Sequence, residues 1–293
     1  MHNPFQEKNN DDGCDADYIS QSLKGDQNAL EALILRHQSW VFNIALTMTG
    51  DIHLAEDVTQ EVLIKVITKL STYHPQKAAF RTWLYRIAVN HIVNMKENKK
   101  EVFFTKMMKN SDDVVLMNNQ PDQRKYVRAE NERMKEETKT HCILCVLLCL
   151  SRRERIVFTL AAIFDVTDKV GAEICDLSRA NFRQILLRSR RKVYQYFMNH
   201  CSLLNENNPC SCANQTKYLL KAGVIHPEQL IVEQSSLGTI HSILGNTVSH
   251  VEDSYREFLS LFRNQPFFQG PDMVLWLRDL MKSDPYRGLM DWA

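Results

Sequence analysis

Residues 177–191, LSRANFRQILLRSRR, followed by Lys192, carry six cations and no acid. On a single helix, Arg179, Asn181, Arg183 and Gln184 would occupy the first turns, where such side chains hydrogen-bond base edges. Arg188, Arg190, Arg191 and Lys192 would follow, where cations neutralise phosphates. The chemistry is recognition of a polyanion, with no covalent step. A merely solvated charged face is the plainer reading, but the missing acids and the interleaved amides count against it.

A second group lies further on. His200, Cys201, Cys210 and Cys212 fall within thirteen positions, and four soft or imidazole ligands suit a tetrahedral zinc. Cys210-x-Cys212 lacks the two intervening residues of a usual zinc pair, and His200 and Cys201 are adjacent. Cys201, Cys210 and Cys212 are therefore weak metal candidates, and a reduced structural or redox-sensing thiol cluster is the alternative.

The elements that must position these residues are helical. With nine glycines and eight prolines in 293 residues, and apolar residues at helical steps wherever a pattern is clear, the chain reads as all-α. Asp26 is a plausible N-cap for a helix burying Leu30, Leu33, Ile34, His37, Val41, Ile44 and Ala45, broken at Gly50-Asp51. A second helix from near His53 buries Leu54, Val58, Val62, Val66 and Leu70, and a third starts near Ala79 after Pro75 ends its predecessor. Upstream of the cationic segment, Ala172, Asp176, Leu177, Phe182 and Ile185 have the spacing of a helix-turn-helix, with Ser178 capping the second helix.

The division expected from composition is a disordered N-terminus at 1–17, helical domains at 18–98 and 140–200, a charged linker at 99–139 and a mostly helical extension at 201–293. In that extension Val251, Tyr255, Phe258, Leu259 and Phe262 form an apolar stripe, and PDMVLWLRDLM opens another helix. Net charge is only +1, so attraction to a polyanion must come from local clustering. The apolar run CILCVLLCL is about half a membrane span and reads as a buried helix, so no membrane insertion is expected. No export pattern opens the chain, and a cytoplasmic location with reduced thiols is expected. There is no Gly-rich phosphate loop, no His-Glu-x-x-His and no nucleophile with its base, so neither an enzyme nor a cofactor is expected.

Two blocks resemble one family, the extracytoplasmic-function (ECF) group of sigma-70 RNA polymerase sigma factors. AEDVTQEVLIKVITKL with FRTWLYRIAVNHIVN looks like sigma region 2; LSRRERIVFTL with AEICDLSRANFRQILLRSRRKV resembles region 4. The resemblance spans roughly residues 20–200 and implies two DNA- and polymerase-binding domains. It puts polymerase binding on Asp57, Gln60, Glu61 and Lys65. It puts −10 element melting and reading on the Tyr73–Trp83 loop and the following helix, notably Arg81, Trp83, Arg86, Asn90 and His91. Trp83 also has core spacing, so it has two readings, packing or base stacking. Reading of the −35 element falls to Arg179, Asn181, Arg183, Gln184 and Arg188.

The implied partners are core RNA polymerase and promoter DNA, with an anti-sigma factor left open. The competing reading is a polymerase-independent helix-turn-helix regulator, which has no use for an acidic helix face before Leu70. The family's usual turn glycine is Asp176 here and a usual bulky apolar residue is Gly171, so a loosened helix-turn-helix is expected.

Overall fold

A computed structural model describes residues 11–99, 101–102, 105, 130–202, 207–208, 210–221, 223–227, 259, 262–263, 268 and 270–282. Among them the secondary structure is helical with no strand, as the low glycine and proline content leads one to expect. The helices are α1 (Asp11–Ser22), α2 (Gln27–Thr49), α3 (Ile52–Thr68), α4 (Phe80–Asn94), α5 (Glu130–Leu148), α6 (Arg152–Phe158), α7 (Asp168–Ile174), α8 (Arg179–His200), α9 (Cys212–Lys221) and α10 (Met273–Lys282). They fall into two compact units. One collects residues within His2–Lys96, Thr159–Arg183 and Phe267–Ala293; the other collects residues within Glu97–Phe158 and Gln184–Pro266.

In the first unit α2 is the central helix. Asp26 caps it by accepting from the amides of Asn28 (2.9 Å) and Ala29 (3.2 Å), a cap generally worth about 1 kcal/mol. Gly50 ends it at φ 65°, a left-handed conformation a Cβ would disfavour, and its N–H donates to the Leu46 carbonyl. Every residue from Trp40 to Thr49 is buried, because α1, α3, α4 and α10 all pack on this helix. The polar groups caught inside are satisfied locally: Thr47 donates to the Asn43 carbonyl (2.8 Å) and Thr49 to the Ala45 carbonyl (2.8 Å).

Residues 11–17, expected to be disordered, lie on α1, with Asp15 only 1% exposed. Polar composition suggested solvent, but Asp15 accepts from Arg36 (2.9 Å), sits 3.2 Å from His37 Nε2 and lies 3.7 Å from Arg81. Burial pushes its carboxyl up, and His37 and Arg36 outweigh this to hold it below the ordinary aspartate range.

α10 also closes on α2. Asn43 donates its amide to the Phe268 carbonyl (2.7 Å) and accepts from the Phe268 N–H (3.1 Å). Gln38 accepts from the Met273 N–H (3.0 Å), and Arg278 forms a two-pronged pair with Glu31 at 2.6 Å. Met273, Val274 and Leu277 are buried. α10 begins at Met273, so Pro271 stands two residues before the helix and not in its first turn, where the sequence placed it.

In the second unit the last residues of α5 carry most of the CILCVLLCL run; Ile143, Leu144, Val146, Leu147 and Leu148, and Leu150 just past the helix, are buried. α9 lies along it: Thr138 and Thr216 hydroxyls meet at 2.7 Å, and Met134, Leu219 and Ile225 form a small core with Tyr218 and Val224. Phe262 stacks edge-on against Phe158 and Phe197; Val251, Tyr255 and Phe258 of the expected stripe lie outside the described residues, as does 106–129 of the expected linker. Residues 130–139 of that linker form the first turns of α5.

A polar anchor in this unit is Arg155, 2% exposed. Its guanidinium donates to the carbonyls of Leu147 (2.9 Å), Leu148 (3.0 Å) and Leu150 (3.0 Å) and to Glu101 (2.8 Å), while Arg152 donates to Glu101 at 2.6 Å. Burial raises the Glu101 pKa, but the bonds from Arg152, the Asn98 backbone and Arg155 prevail and hold it below the ordinary glutamate range.

Candidate nucleic-acid interface

The turn before α8 is built by local chemistry. Thr167 caps α7 by accepting from the Val170 amide (3.4 Å). The chain reverses at Asp176, φ 53°, a left-handed position that aspartate tolerates and glycine adopts most easily. Leu177 N–H donates to the Ala172 carbonyl (2.9 Å), and Ser178 caps α8 by accepting from the Asn181 amide (3.2 Å).

Gly171 corrects an expectation. A Cβ there would stand 2.4 Å from Phe182 Cζ, so its missing side chain is what lets the Phe182 ring enter. Phe182 is fully buried. The helix-turn-helix is tight at this point, where a glycine in a bulky position suggested looseness.

Along α8, Phe182, Ile185, Ser189, Val193 and Phe197 are buried. Arg179, Asn181, Arg183, Gln184, Arg188, Arg191 and Lys192 are exposed, and Arg190 is half-buried. The sequence-identified set is thus brought to the outward side of one helix. Leu187, 60% exposed among them, was missed; an apolar side chain between arginines is its signal, and it suits a thymine methyl. Arg179 (2.9 Å) and Arg183 both pair with Asp168 at the start of α7. The bond from Arg179, then that from Arg183, holds the Asp168 carboxyl below its ordinary range.

The region 2-like candidates are placed less uniformly. Arg81 is buried beside Asp15, a position that holds α1 to α4 and keeps its guanidinium from a backbone phosphate. Trp83 is half-buried, 5.6 Å from the Phe80 ring in a near-parallel stack and 5.5 Å from Tyr73. Arg86 donates to the Glu173 carbonyl (3.2 Å) and lies 3.6 Å from its carboxylate, joining α4 to α7 within one unit. Asn90, one turn further, is exposed. Asp15 itself was missed; DADYISQS places it four residues before Ile19 and seven before Ser22, both buried, which was the available signal.

On α3, Asp57 and Glu61 are exposed and Gln60 and Lys65 half-buried, one turn apart on one face. Glu61 lies 3.1 Å from His91 Nε2, and Lys65 contacts His91 Nδ1. Burial, then Lys65, holds the His91 pKa below the ordinary histidine range against the opposing pull of Glu61. The thiols Cys201, Cys210 and Cys212 are half-buried. Among the described residues no group of three or more His, Cys, Asp or Glu is arranged to hold a metal ion. No described helix is long and apolar enough to cross a membrane.

Residues 33–101 match the family Sigma-70 region 2. The chain is 31% identical over 86 residues to ECF RNA polymerase sigma factor SigW of Bacillus subtilis, covering 29% of this chain and 46% of that protein. It is 28% identical over 156 residues to SigM of the same organism, covering 52% of this chain and 85% of that protein. It is 38% identical over 78 residues to the ECF RNA polymerase sigma-E factor of Escherichia coli, covering 26% of this chain and 39% of that protein. For SigW and sigma-E the chain thus spans half or less of the relative it matches. Most of α2 and all of α3 and α4 thus lie in a stretch similar to Sigma-70 region 2, and these relatives are ECF sigma factors by name.

Proposed function

We propose that the chain is a promoter-specificity subunit: it binds core RNA polymerase in the cytoplasm, recognises two promoter elements and assists opening of the DNA, catalysing no covalent reaction. The observation that carries this reading is the match of residues 33–101 to Sigma-70 region 2, joined in one chain to a helix whose exposed side holds Arg179, Asn181, Arg183, Gln184 and Arg188. Region 2 would occupy 18–98 and region 4 140–200, with 99–139 between them. The acidic Asp57 and Glu61 would engage the polymerase with Gln60 and Lys65, and Trp83, Arg86 and Asn90 would meet the −10 element. In the conformation described, Arg86 is held by Glu173, so engagement of DNA requires this contact to open.

A polymerase-independent regulator is disfavoured by the α3 face, which has no role in plain duplex binding. Core polymerase retained on the immobilised chain, and a run-off transcript from a subset of genomic promoters, would support the proposal. Failure to associate at any ionic strength would end it. In the same assay, a chain truncated after Met198 tests the extension: higher activity marks it as a mask, and loss of activity marks it as required.

A further inference from the structure

The end of α8 carries a pair of cysteines that the promoter reading leaves unused. Cys201 and Cys210 face each other across an isolated parallel backbone bridge just past the end of α8. The Cys210 N–H donates to the His200 carbonyl (3.2 Å), and the Ser202 N–H donates to the Cys210 carbonyl (3.0 Å). Chains paired in this way lie roughly 4.8 Å apart, inside the window of about 4.4–6.8 Å between Cα atoms that a disulfide needs. Asn208 ties the Cys210 side to the end of α8, its amide donating to the carbonyls of Met198 (2.8 Å) and Cys201 (3.1 Å). Both thiols are half-buried and reduced, open to a small oxidant.

Further sulfurs surround this pair. α9 runs antiparallel to α5, with Met134 by Leu219 and Thr138 against Thr216; one turn on, the same register sets Cys142 opposite Cys212. Burial and then the neighbouring thiols of Cys145, Cys210, Cys212 and Cys201 raise Cys142 well above the ordinary thiol range. Burial pushes Cys149 up to about 12. Neither provides a thiolate near neutral pH, so neither competes as the first nucleophile.

We propose that Cys201 and Cys210 are a peroxide-oxidisable pair that closes into a reversible disulfide at the end of α8. The thiolate sulfur of one attacks a peroxide oxygen, the O–O bond breaks, and the departing hydroxide takes up the proton the thiol had released, leaving a sulfenic acid and one water. The second sulfur displaces hydroxide from that sulfenic acid. The S–S bond forms, and the hydroxide takes the proton of the second thiol to leave as a second water. Two thiols and one hydrogen peroxide thus give one disulfide and two waters, and a dithiol reductant restores the pair.

The full chain, reduced and desalted, is treated with a small excess of hydrogen peroxide, denatured, alkylated, and mapped by mass spectrometry. Alkylatable thiols fall from the eight of the sequence to six, a peptide linked through Cys201 and Cys210 appears, and dithiothreitol reverses both changes. Cys201→Ser and Cys210→Ser each abolish the link, and Cys142→Ser retains it. Mapping of the unsubstituted chain decides the matter even if a serine variant fails to fold. A link joining any other pair or two chains, a sulfinic acid on a single cysteine, eight unchanged thiols, or stoichiometric zinc on the isolated protein would each overturn the proposal.

Discussion

The Phe182 ring occupies the space that a side chain on Gly171 would take, with Cζ 2.4 Å from the position of the missing Cβ. The two residues are complementary: a small residue on α7 matches a large one on α8. Gly171→Ala therefore overpacks a closed site and is expected to cost about 1–3 kcal/mol, despite the better helix propensity of alanine. Chemical denaturation checks it. Phe182→Leu introduced into the alanine variant should recover part of the loss, and an equally stable Gly171→Ala protein would contradict the packing described.

Arg155 and Glu101 are each about 2% exposed and joined at 2.8 Å. Glu101→Gln leaves a buried guanidinium without its counter-charge and should destabilise the second unit by about 3–5 kcal/mol at pH 7. Because the folded pKa of Glu101 lies below its ordinary 4.5, the stability from its ionisation is present in full above that ordinary value. It is lost as pH falls through the depressed folded value. The gap between the parent and the glutamine variant should accordingly narrow on acidification below pH 4.5, as read by denaturant titration at a series of pH values.

On α8, Arg191→Ala should weaken DNA binding by a similar factor for all sequences and lower the salt slope by about one ion, the mark of a phosphate contact. Asn181→Ala should act unevenly, costing about 1–3 kcal/mol on the preferred promoter and little elsewhere, if its amide reads a base edge. Asp168 competes with phosphate for Arg179 and Arg183, so Asp168→Asn should tighten binding. Fluorescence anisotropy across a salt series distinguishes the three.

Charge reversal on α3 tests the other interface. Glu61→Lys should reduce retention by core polymerase at least tenfold while leaving duplex binding through α8 unchanged. The pairing of Glu61 with His91 makes thermal stability a necessary control; a variant that melts early without losing polymerase would remove Glu61 from the interface.

Asn43 offers both its donor and its acceptor to the backbone of Phe268. Asn43→Ala strands those two backbone groups and should cost about 1–3 kcal/mol, with earlier protease cleavage between 268 and 282 as the local readout. Unchanged cleavage would mean that the segment is held elsewhere on α2.

The sequence by itself determined what depends on neighbours along the chain. The helical periodicity, the caps at Asp26, Ser178 and Gly50, the left-handed turn at Asp176 and the one-sided cations of α8 are local, because a helix places residues three and four apart on one face whatever surrounds it. The tertiary structure alone decided which faces meet. Arg81 went to Asp15 and Arg86 to Glu173 instead of remaining exposed cations; α10 took the Gln38 and Asn43 side of α2; Cys142 of α5 was set among the thiols of the Cys201–Cys212 segment. An arginine obeys the same periodicity whether it faces a phosphate or a buried carboxylate, and burial between residues distant in sequence makes that choice.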